Sequence, residues 1–223
     1  MTVDTLEDKI NAIGNPVDML RNANAGPYQF PIKAEFTNWR DEQEAWRNGA
    51  VLFDQSYHMT DHYIEGPDVK RLLEDLAINS MANFRKDIAK QVVFCNHDGF
   101  VIGDAIMFIL DDTKVNIVNK PINRDWVQYH IETGDYDVEA VTDMRALDNN
   151  GRRMGYRFEV QGPNANAILE NLNGGPLEGF KFFGMGTINI DGVQVRALRH
   201  GMAGAVGLEL FGPFDDYDRI RNA

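Results

Sequence analysis

Several charged side chains of this sequence stand among apolar neighbours, where their chemistry is most costly to keep. Residues 198–213 read LRHGMAGAVGLELFGP. Gly201, Gly204 and Gly207 lead into an apolar strand that carries one acidic residue, Glu209, between Leu208 and Leu210. A carboxylate flanked in this way is expensive to desolvate unless something pairs with it. A flat heterocycle edge with two parallel N–H donors, such as an aminopyrimidine or a pterin, would pair well, because one carboxylate accepts both. Strand alternation also allows a plainer arrangement, a glutamate pointing outward from a half-buried strand.

Two further residues carry similar weight. In VLFDQSYHMTD, residues 51–61, His58 follows an apolar strand and is ringed by polar neighbours. An imidazole there is either a hydrogen-bonded structural group or a proton donor or acceptor near neutral pH. His62 lies four residues on, but TDHYIEG reads as strand and no HExxH pattern exists, so no metal is expected. Asp104, in FVIGDAIMF, is acidic at the start of a very apolar strand. It either ends a turn or forms a buried carboxylate that orients a cationic or N–H-bearing group. Asn119-Lys120-Pro121 and Arg124 follow the next strand, placed to cap a helix or to hold a substrate carboxylate. Trp39, Trp46, Trp126, Phe182 and Phe183 are expected in the core rather than in a stacking platform. Phosphate loops, a serine nucleophile elbow and a plausibly spaced Cys–His pair are all absent from the sequence.

The elements that must position these residues repeat. YIEGPDVKRLLEDL (63–76) and FEVQGPNANAILENL (158–172) align on Gly-Pro at an offset of 96, so that Val69, Leu72, Leu73 and Leu76 meet Ala165, Ile168, Leu169 and Leu172. Each copy is a strand, a Gly-Pro turn and a helix with one apolar face. ELFGPFDDYDRI, from Glu209, is a weaker third echo. Hairpins are expected from Gln91–Cys95 with Ala105–Leu110 and from Thr187–Ile190 with Val193–Leu198. Val115–Val118 and Asp135–Val141 read as strands, Asn38–Asn48 and Asn123–Thr133 as helices, and Thr142–Met154 as a loop. The expected fold class is α+β, one domain over 1–223 built from two similar strand/Gly-Pro/helix halves with mainly antiparallel sheets.

Composition sets the outer limits. The 223 residues carry a formal net charge of −12, which argues against nucleic acid or an anionic membrane as partner. The N-terminal MTVDTLEDKINAIG lacks a signal-peptide apolar region, and no stretch is long and apolar enough to span a bilayer. The single cysteine, Cys95, excludes an internal disulfide and a multi-cysteine metal site, and its run VVFC predicts a buried strand position. A reducing cytoplasm fits these features. Oligomeric state is not legible.

Taken in order, LFDQSYHM, the DGFVIGDAI hairpin, FEVQGPNA and GLELFGP resemble the folate-binding family of the glycine-cleavage aminomethyltransferase (T-protein), across nearly the whole chain. Within that family, NWRDEQEAWRNGAVLFDQSYHM and RALRHGMAGAVGLELFGP are most similar to the tetrahydrofolate-dependent aryl O-demethylases of the vanillate/3-O-methylgallate type, from about Gly14 to Ala223. The resemblance implies tetrahydrofolate as cofactor and a small methoxylated aromatic acid as the methyl donor. The products would be 5-methyltetrahydrofolate and a catechol-type acid. It implies that Glu209 grips the pterin ring, that Asp104 sits by the reactive folate nitrogen, and that Gln161 and Arg199 line the folate cavity. His58 would lie beside the methoxy group and act on the departing oxygen, and Lys120 would hold the ring carboxylate. Gln55, Phe30 and Tyr28 are further pocket positions.

Departures from the aminomethyltransferase pattern weigh against aminomethyl-lipoyl chemistry. Met202, Ala205 and Val206 replace a tyrosine and an acidic pair, and Gly103 replaces the first aspartate of an Asp-Asp pair. Another one-carbon donor on the same scaffold, or a non-catalytic folate-binding module, remain open alternatives. Relatives continue into further β-rich domains, so the chain is expected to be a piece of such a protein, in which case it lacks parts that complete the site.

Overall fold

A computed structural model of the chain describes residues 5–17, 31–33, 36–145, 151–201 and 204–223. The chain opens with α1 (Leu6–Ile13), which the sequence patterns did not reveal, and α2 (Trp39–Asn48), followed by β1 (Val51–Asp54). Asn38 starts α2 by accepting from the amides of Arg40 and Asp41, and Gly49 ends it. The first half then runs β2 (Thr60–Glu65), α3 (Val69–Leu76), β3 (Ile88–Cys95), β4 (Val101–Asp111), β5 (Lys114–Asn119), α4 (Pro121–Thr133) and β6 (Glu139–Asp143). The second half runs β7 (Gly155–Gln161), α5 (Ala165–Asn173), β8 (Met185–Ile190), β9 (Val193–Leu198), β10 (Gly207–Pro213), a 3-10 turn (Phe214–Asp216) and α6 (Tyr217–Asn222).

Both halves fold their strands alike. Each begins with a strand, turns at Gly-Pro into a helix, and returns through a three-stranded meander whose last strand lies beside the first. The resulting sheets are ordered β1-β7-β10-β9-β8 and β3-β4-β5-β2-β6, every pairing antiparallel. The expected α+β class and two-half construction hold. The equivalence extends to the fifth strand of each sheet: β6 flanks β2 as β1 flanks β7. The segment leading into each edge strand is gripped by the same device. Gly66 (φ 150°) has no room for a Cβ, which would fall 2.3 Å from the Asp137 carbonyl oxygen. Gly162 (φ 130°) is matched, its Cβ falling 2.5 Å from the Gly49 carbonyl oxygen. The following amides also agree, Asp68 N donating to Asp137 O at 3.4 Å and Asn164 N to Gly49 O at 3.0 Å. The edge strand of the second half is therefore drawn from the start of the chain.

Alternation sorts each strand into two faces. Tyr156, Phe158 and Val160 of β7 pack under α5 and α6, while Ala105, Met107 and Ile109 of β4 pack under α3 and α4. The opposite faces of the two sheets meet each other through Ala89, Phe108 and Val118 on one side and Met185, Leu198 and Phe211 on the other. Helices thus cover the outside of a two-sheet sandwich.

Three expectations need correction. Ile168 does not join the core and is 44 % exposed. In the first half, the 13-residue α4 adds Trp126, Val127 and Ile131 to the cluster that holds Leu72, whereas α6 has six residues. Residues 135–138 are not strand. Tyr136 Oη donates to Asp75 at 2.8 Å, the Asp137 amide to Asp68 at 2.9 Å, and Arg71 donates to the Asp135 carbonyl, so this stretch is tied to α3 and ladder pairing begins at Glu139. Cys95 is half-buried rather than buried, beside a register shift in the β3–β4 pairing.

His62 lies buried on the helix-facing side of β2, its Nδ1 3.0 Å from Thr142 Oγ1. Burial, aided by the Arg124 charge, lowers its pKa from 6.5 to about 4. The unfolded chain therefore binds a proton below pH 6.5 that the folded chain refuses until about pH 4. Stability should decline across that window, and His62→Gln should flatten the decline in denaturant titrations run at successive pH values. An unaltered slope in the variant would remove His62 from the account. Gly66→Ala and Gly162→Ala should each cost about 2–4 kcal/mol in the same assay, because a Cβ collides with backbone at an unfavourable φ. A neutral result at either position would contradict the shared role.

Candidate functional site

A buried ion network lies between the sheets. Arg157, in the middle of β7, donates through Nη2 to Asp61 Oδ1 of β2 at 2.8 Å and through Nη1 to Glu209 Oε1 of β10. Arg153 donates to the other Asp61 oxygen at 2.7 Å and to Asp143 of β6 at 3.1 Å. The Arg157 guanidinium also lies 4.6 Å from the centroid of the Phe108 ring, a cation–π contact across the two sheets. Burial would raise the pKa of Asp61, but Arg157 and Arg153 outweigh it and the carboxyl is held below its usual range. Asp143 moves the other way, raised by burial despite Arg153.

From this contact, both inward faces run toward one open end of the layer. On the first sheet the next positions are Glu159 and Gln161 of β7 and Glu209 of β10, with Glu159 and Glu209 directly opposed in register. On the second sheet, Ile106 pairs with Val118, which carries Asp104 and Lys120 to adjoining positions two residues further on. Thr60 pairs with Asn119, so the segment leading back to His58 reaches the same end. The Ala89 amide donates to the Phe183 carbonyl at 2.7 Å and tethers the far side. Asn123 Nδ2 of α4 donates to the Asp104 carbonyl at 2.7 Å and seats the helix that follows Lys120.

The residues expected from sequence meet different circumstances in this mouth. Glu209 is buried on the inward face, which excludes the outward-pointing arrangement, and its first partner is Arg157, which the sequence reading did not weigh. Its Oε2 lies 3.6 Å from His200 Nδ1. Gln161 is fully buried; Nε2 donates to the His200 carbonyl at 3.0 Å and, among the described residues, Oε1 has no hydrogen-bond partner. Gln55 Nε2 donates to Glu159 Oε2 at 2.5 Å. His58 is half-buried, and burial, with the charges of Arg157 and Arg153, lowers its pKa, so the ring is neutral at pH 7. Arg199 is half-buried, its carbonyl accepting from the Phe183 amide at 2.8 Å and its amide donating to the Gly184 carbonyl at 3.0 Å, just ahead of β8.

Asp104 is exposed, which corrects the buried alternative, and Oδ2 accepts from Gln91 Nε2 at 3.0 Å. Lys120 is exposed and occupies the N-cap position of α4, without a side-chain capping bond. Arg124 is turned to Asp125 at 2.8 Å, away from a substrate role. Tyr28 and Phe30 lie outside the described residues. Among the described residues no cluster of metal-ligating side chains occurs.

The aromatic expectation is also revised. Phe182 is 71 % exposed and stacks on Phe183 at 4.4 Å between centroids, and Phe183 stacks on His200 at 5.4 Å. Phe182 therefore lies outside the core, while half-buried Phe183 packs against the inter-sheet cluster as expected. Trp39 is exposed beneath Arg40, and Trp46 lies edge-on to Phe53. A groove of about 640 Å³ opens beside Gly162-Pro163, lined by Trp46, Arg47, Ala205 and Val206, but it takes in none of Glu209, Asp104 or His58. The chemistry points to the mouth instead. Asp61, Arg157, Glu159 and His200 escaped the sequence reading. Arg157, Glu159 and Gln161 alternate with large apolar residues in RFEVQ, which reads as a solvent face until a second sheet is known to cover it.

Comparison with known proteins agrees with this architecture. The GCVT N-terminal domain family model matches residues 20–223. A syringate O-demethylase from Sphingobium sp. is 46% identical over 98% of this chain and 48% of its own length. An aminomethyltransferase from Lysinibacillus sphaericus is 27% identical over 88% of this chain and 51% of its own length. The chain thus spans about half the length of the curated relatives it matches. Among solved structures, the glycine cleavage system aminomethyltransferase T from Bartonella henselae shares the fold, with a TM-score of 0.65 at 20% identity over 82% of this chain and 47% of that one. A heterotetrameric sarcosine oxidase from Corynebacterium sp. U-96 follows at a TM-score of 0.54 and 12% identity, over 82% of this chain and 87% of that one. With a matched family model over nearly its whole length and the same fold in solved relatives, the chain belongs to the GCVT N-terminal domain family.

Proposed function

We propose that this chain carries the tetrahydrofolate site of an enzyme that removes the O-methyl group of a methoxylated aromatic acid. The observation that carries the reading is the mouth itself, where buried acceptors, Glu209 Oε2 and Gln161 Oε1, suit the N–H donors of a reduced pterin. The 46% identical syringate O-demethylase supports the donor class, and syringate and vanillate are the first candidates within it.

Tetrahydrofolate supplies a nucleophilic secondary amine, N5, which accepts the methyl group. In the transfer, an N5–CH3 bond would form as the CH3–O bond breaks, N5 would lose its proton and the departing oxygen would gain one. The residues of this chain bear on orientation and charge. Glu209, fixed by Arg157, anchors the pterin edge. Asp104, at the open end of β4, faces the reactive nitrogen. Lys120, at the adjoining position, gives the ring carboxylate a single-point contact, where arginine would give a fork. His58, neutral at pH 7, holds the departing oxygen or a hydroxyl beside it by hydrogen bond. Holding the reacting groups in line is the principal contribution such a site can make.

Anaerobic incubation of the protein with tetrahydrofolate and a panel of syringate, vanillate, 3-O-methylgallate and a methylated glycine tests the reading. 5-Methyltetrahydrofolate formed from an aromatic ether is the expected result. Product from the methylated amine alone would overturn the donor while keeping the cofactor. His58→Ala should lower turnover by about 10²–10⁴-fold with tetrahydrofolate affinity retained. Wild-type turnover in that variant would remove His58 from the reaction. Glu209→Ala should weaken tetrahydrofolate binding first, read by calorimetric titration, and an unchanged affinity would sink the anchor role.

A further inference from the structure

The third Gly-Pro echo of the sequence ends in α6, on the helix side of the first sheet and away from the mouth. Tyr217 of α6 is buried there, its ring stacked on Phe214 and tilted against Phe158 of β7. Its hydroxyl donates to Oδ2 of Asp54, the last residue of β1. Burial and the Asp54 carboxylate push the Tyr217 pKa up, so the hydroxyl keeps its proton and stays a donor at neutral pH.

From Asp54 the chain crosses to His58 with each side chain engaged. Asp54 Oδ1 accepts from the Ser56 amide at 3.0 Å, an Asx-type turn. The Gln55 amide donates to the Arg157 carbonyl at 2.9 Å and continues the β1–β7 pairing by one bond. Ser56 then meets Arg157 with its side chain instead: Oγ accepts from the Arg157 amide at 3.0 Å and donates to the Arg157 carbonyl at 3.2 Å. The main chain is thereby released from the strand while the β7 backbone stays satisfied. Tyr57 turns back to the helix side, edge-on to Phe214 and Tyr217. His58 follows, hydrogen-bonded to the Gln55 backbone, and just beyond it the Met59 carbonyl accepts from Arg153 Nη1 at 2.7 Å.

We propose that Tyr217 is a positioning residue for His58, acting through Asp54. Its hydroxyl holds one Asp54 oxygen, which leaves the other aimed at the Ser56 amide, and that turn sets where the imidazole stands in the mouth. A carboxylate that loses a buried donor turns toward water, and the Asx turn loosens with it. The consequence for turnover rests on the demethylase reading above; the link from Tyr217 to His58 does not. The imidazole reports its own placement. Burial is the largest cause lowering its pKa, joined by the charges of Arg157 and Arg153 and opposed by the Gln55 backbone bond and Asp61. A ring freed from its seat gains water and leaves the two arginines, so its pKa returns toward 6.5.

The test follows the His58 imidazole by NMR pH titration, assigned with His58→Ala, in wild type, Tyr217→Phe, Asp54→Ala and the double variant. Phenylalanine keeps the ring packing and removes only the donor. Each single variant should move the His58 pKa toward 6.5, and the double variant should add nothing, because both changes break one contact. His62, buried on the other face of β2, should not move. A tyrosine that merely fastens α6 would lower the melting temperature and leave the His58 titration in place, and that result overturns the proposal. So does a shift in Tyr217→Phe that Asp54→Ala does not share. With tetrahydrofolate and the aromatic ethers, Tyr217→Phe should lower kcat by about 10- to 100-fold, the scale of a small misplacement, with tetrahydrofolate affinity retained. It should cost nothing further in a His58→Ala background, and a loss that persists there overturns the route through His58. A shifted titration in protein that demethylates no aromatic ether keeps the link and sinks the demethylase reading alone.

Discussion

One guanidinium ties the two sheets together. Arg157 reaches Asp61 on the second sheet with one nitrogen and Glu209 on its own sheet with another, over the Phe108 ring. Opposed sheet faces can be held by apolar packing alone, and the Met185, Leu198 and Phe211 side of this layer is held so. The ion pairs do something packing cannot. Burying a charge demands a partner at a fixed distance, so the network sets the offset between the sheets as well as their separation. Asp61 shows the balance: burial pushes its pKa up, and two arginines and the Asn116 amide bring it below the usual carboxylate range.

The duplicated half explains where the open end of that layer falls. Because each half begins with a strand that ends at Gly-Pro, and returns a meander to lie beside it, the strands next to the two turns carry matched roles. The second-half turn, at Gly162, follows Gln161 and closes on the segment before β1. The first-half turn, at Gly66, leaves from the opposite end of β2. The start of β2 is thereby free to send His58 and Gln55 across to β7, where Gln55 meets Glu159 and Ser56 exchanges hydrogen bonds with the Arg157 backbone. Site residues that are scattered from 55 to 209 in sequence meet because the two halves are joined by this short crossing.

Much of this was legible in advance where local rules suffice. The Gly-Pro repeat, both hairpins, the capped helix from Asn38 and the strand carrying Glu209 follow from period, turn chemistry and capping, and all are found. Most of the losses share a physical cause. Residues 135–138 look like strand because their residue types suit one, yet side-chain bonds to α3 claim their backbone. Phe182 looks like core because it is apolar, yet the segment before β8 displays it, stacked on Phe183. Arg157 and Glu159 look like a wet face because polar residues alternate with apolar ones. In the first and last cases the deciding partner lies far away in sequence: Asp75 for Tyr136, Asp61 for Arg157. A pattern confined to one element cannot report a contact made by another.

The two walls of the mouth differ in charge. Its first-sheet wall carries the buried carboxyl groups of Glu159 and Glu209. Its second-sheet wall ends in Lys120, a cation next to Asp104, with His58 held neutral nearby by burial and by Arg157 and Arg153. Under the proposed function, a carboxylate ligand would be repelled from the first wall and drawn to the second, while a pterin edge would be drawn to the first. Two small molecules that differ in charge would therefore enter one opening and separate without a partition between them. Their reacting atoms would be left facing each other across the gap that the Arg157 network sets. Such steering would be local, so that a chain of net charge −12 could admit an anion where one lysine stands at the end of β5.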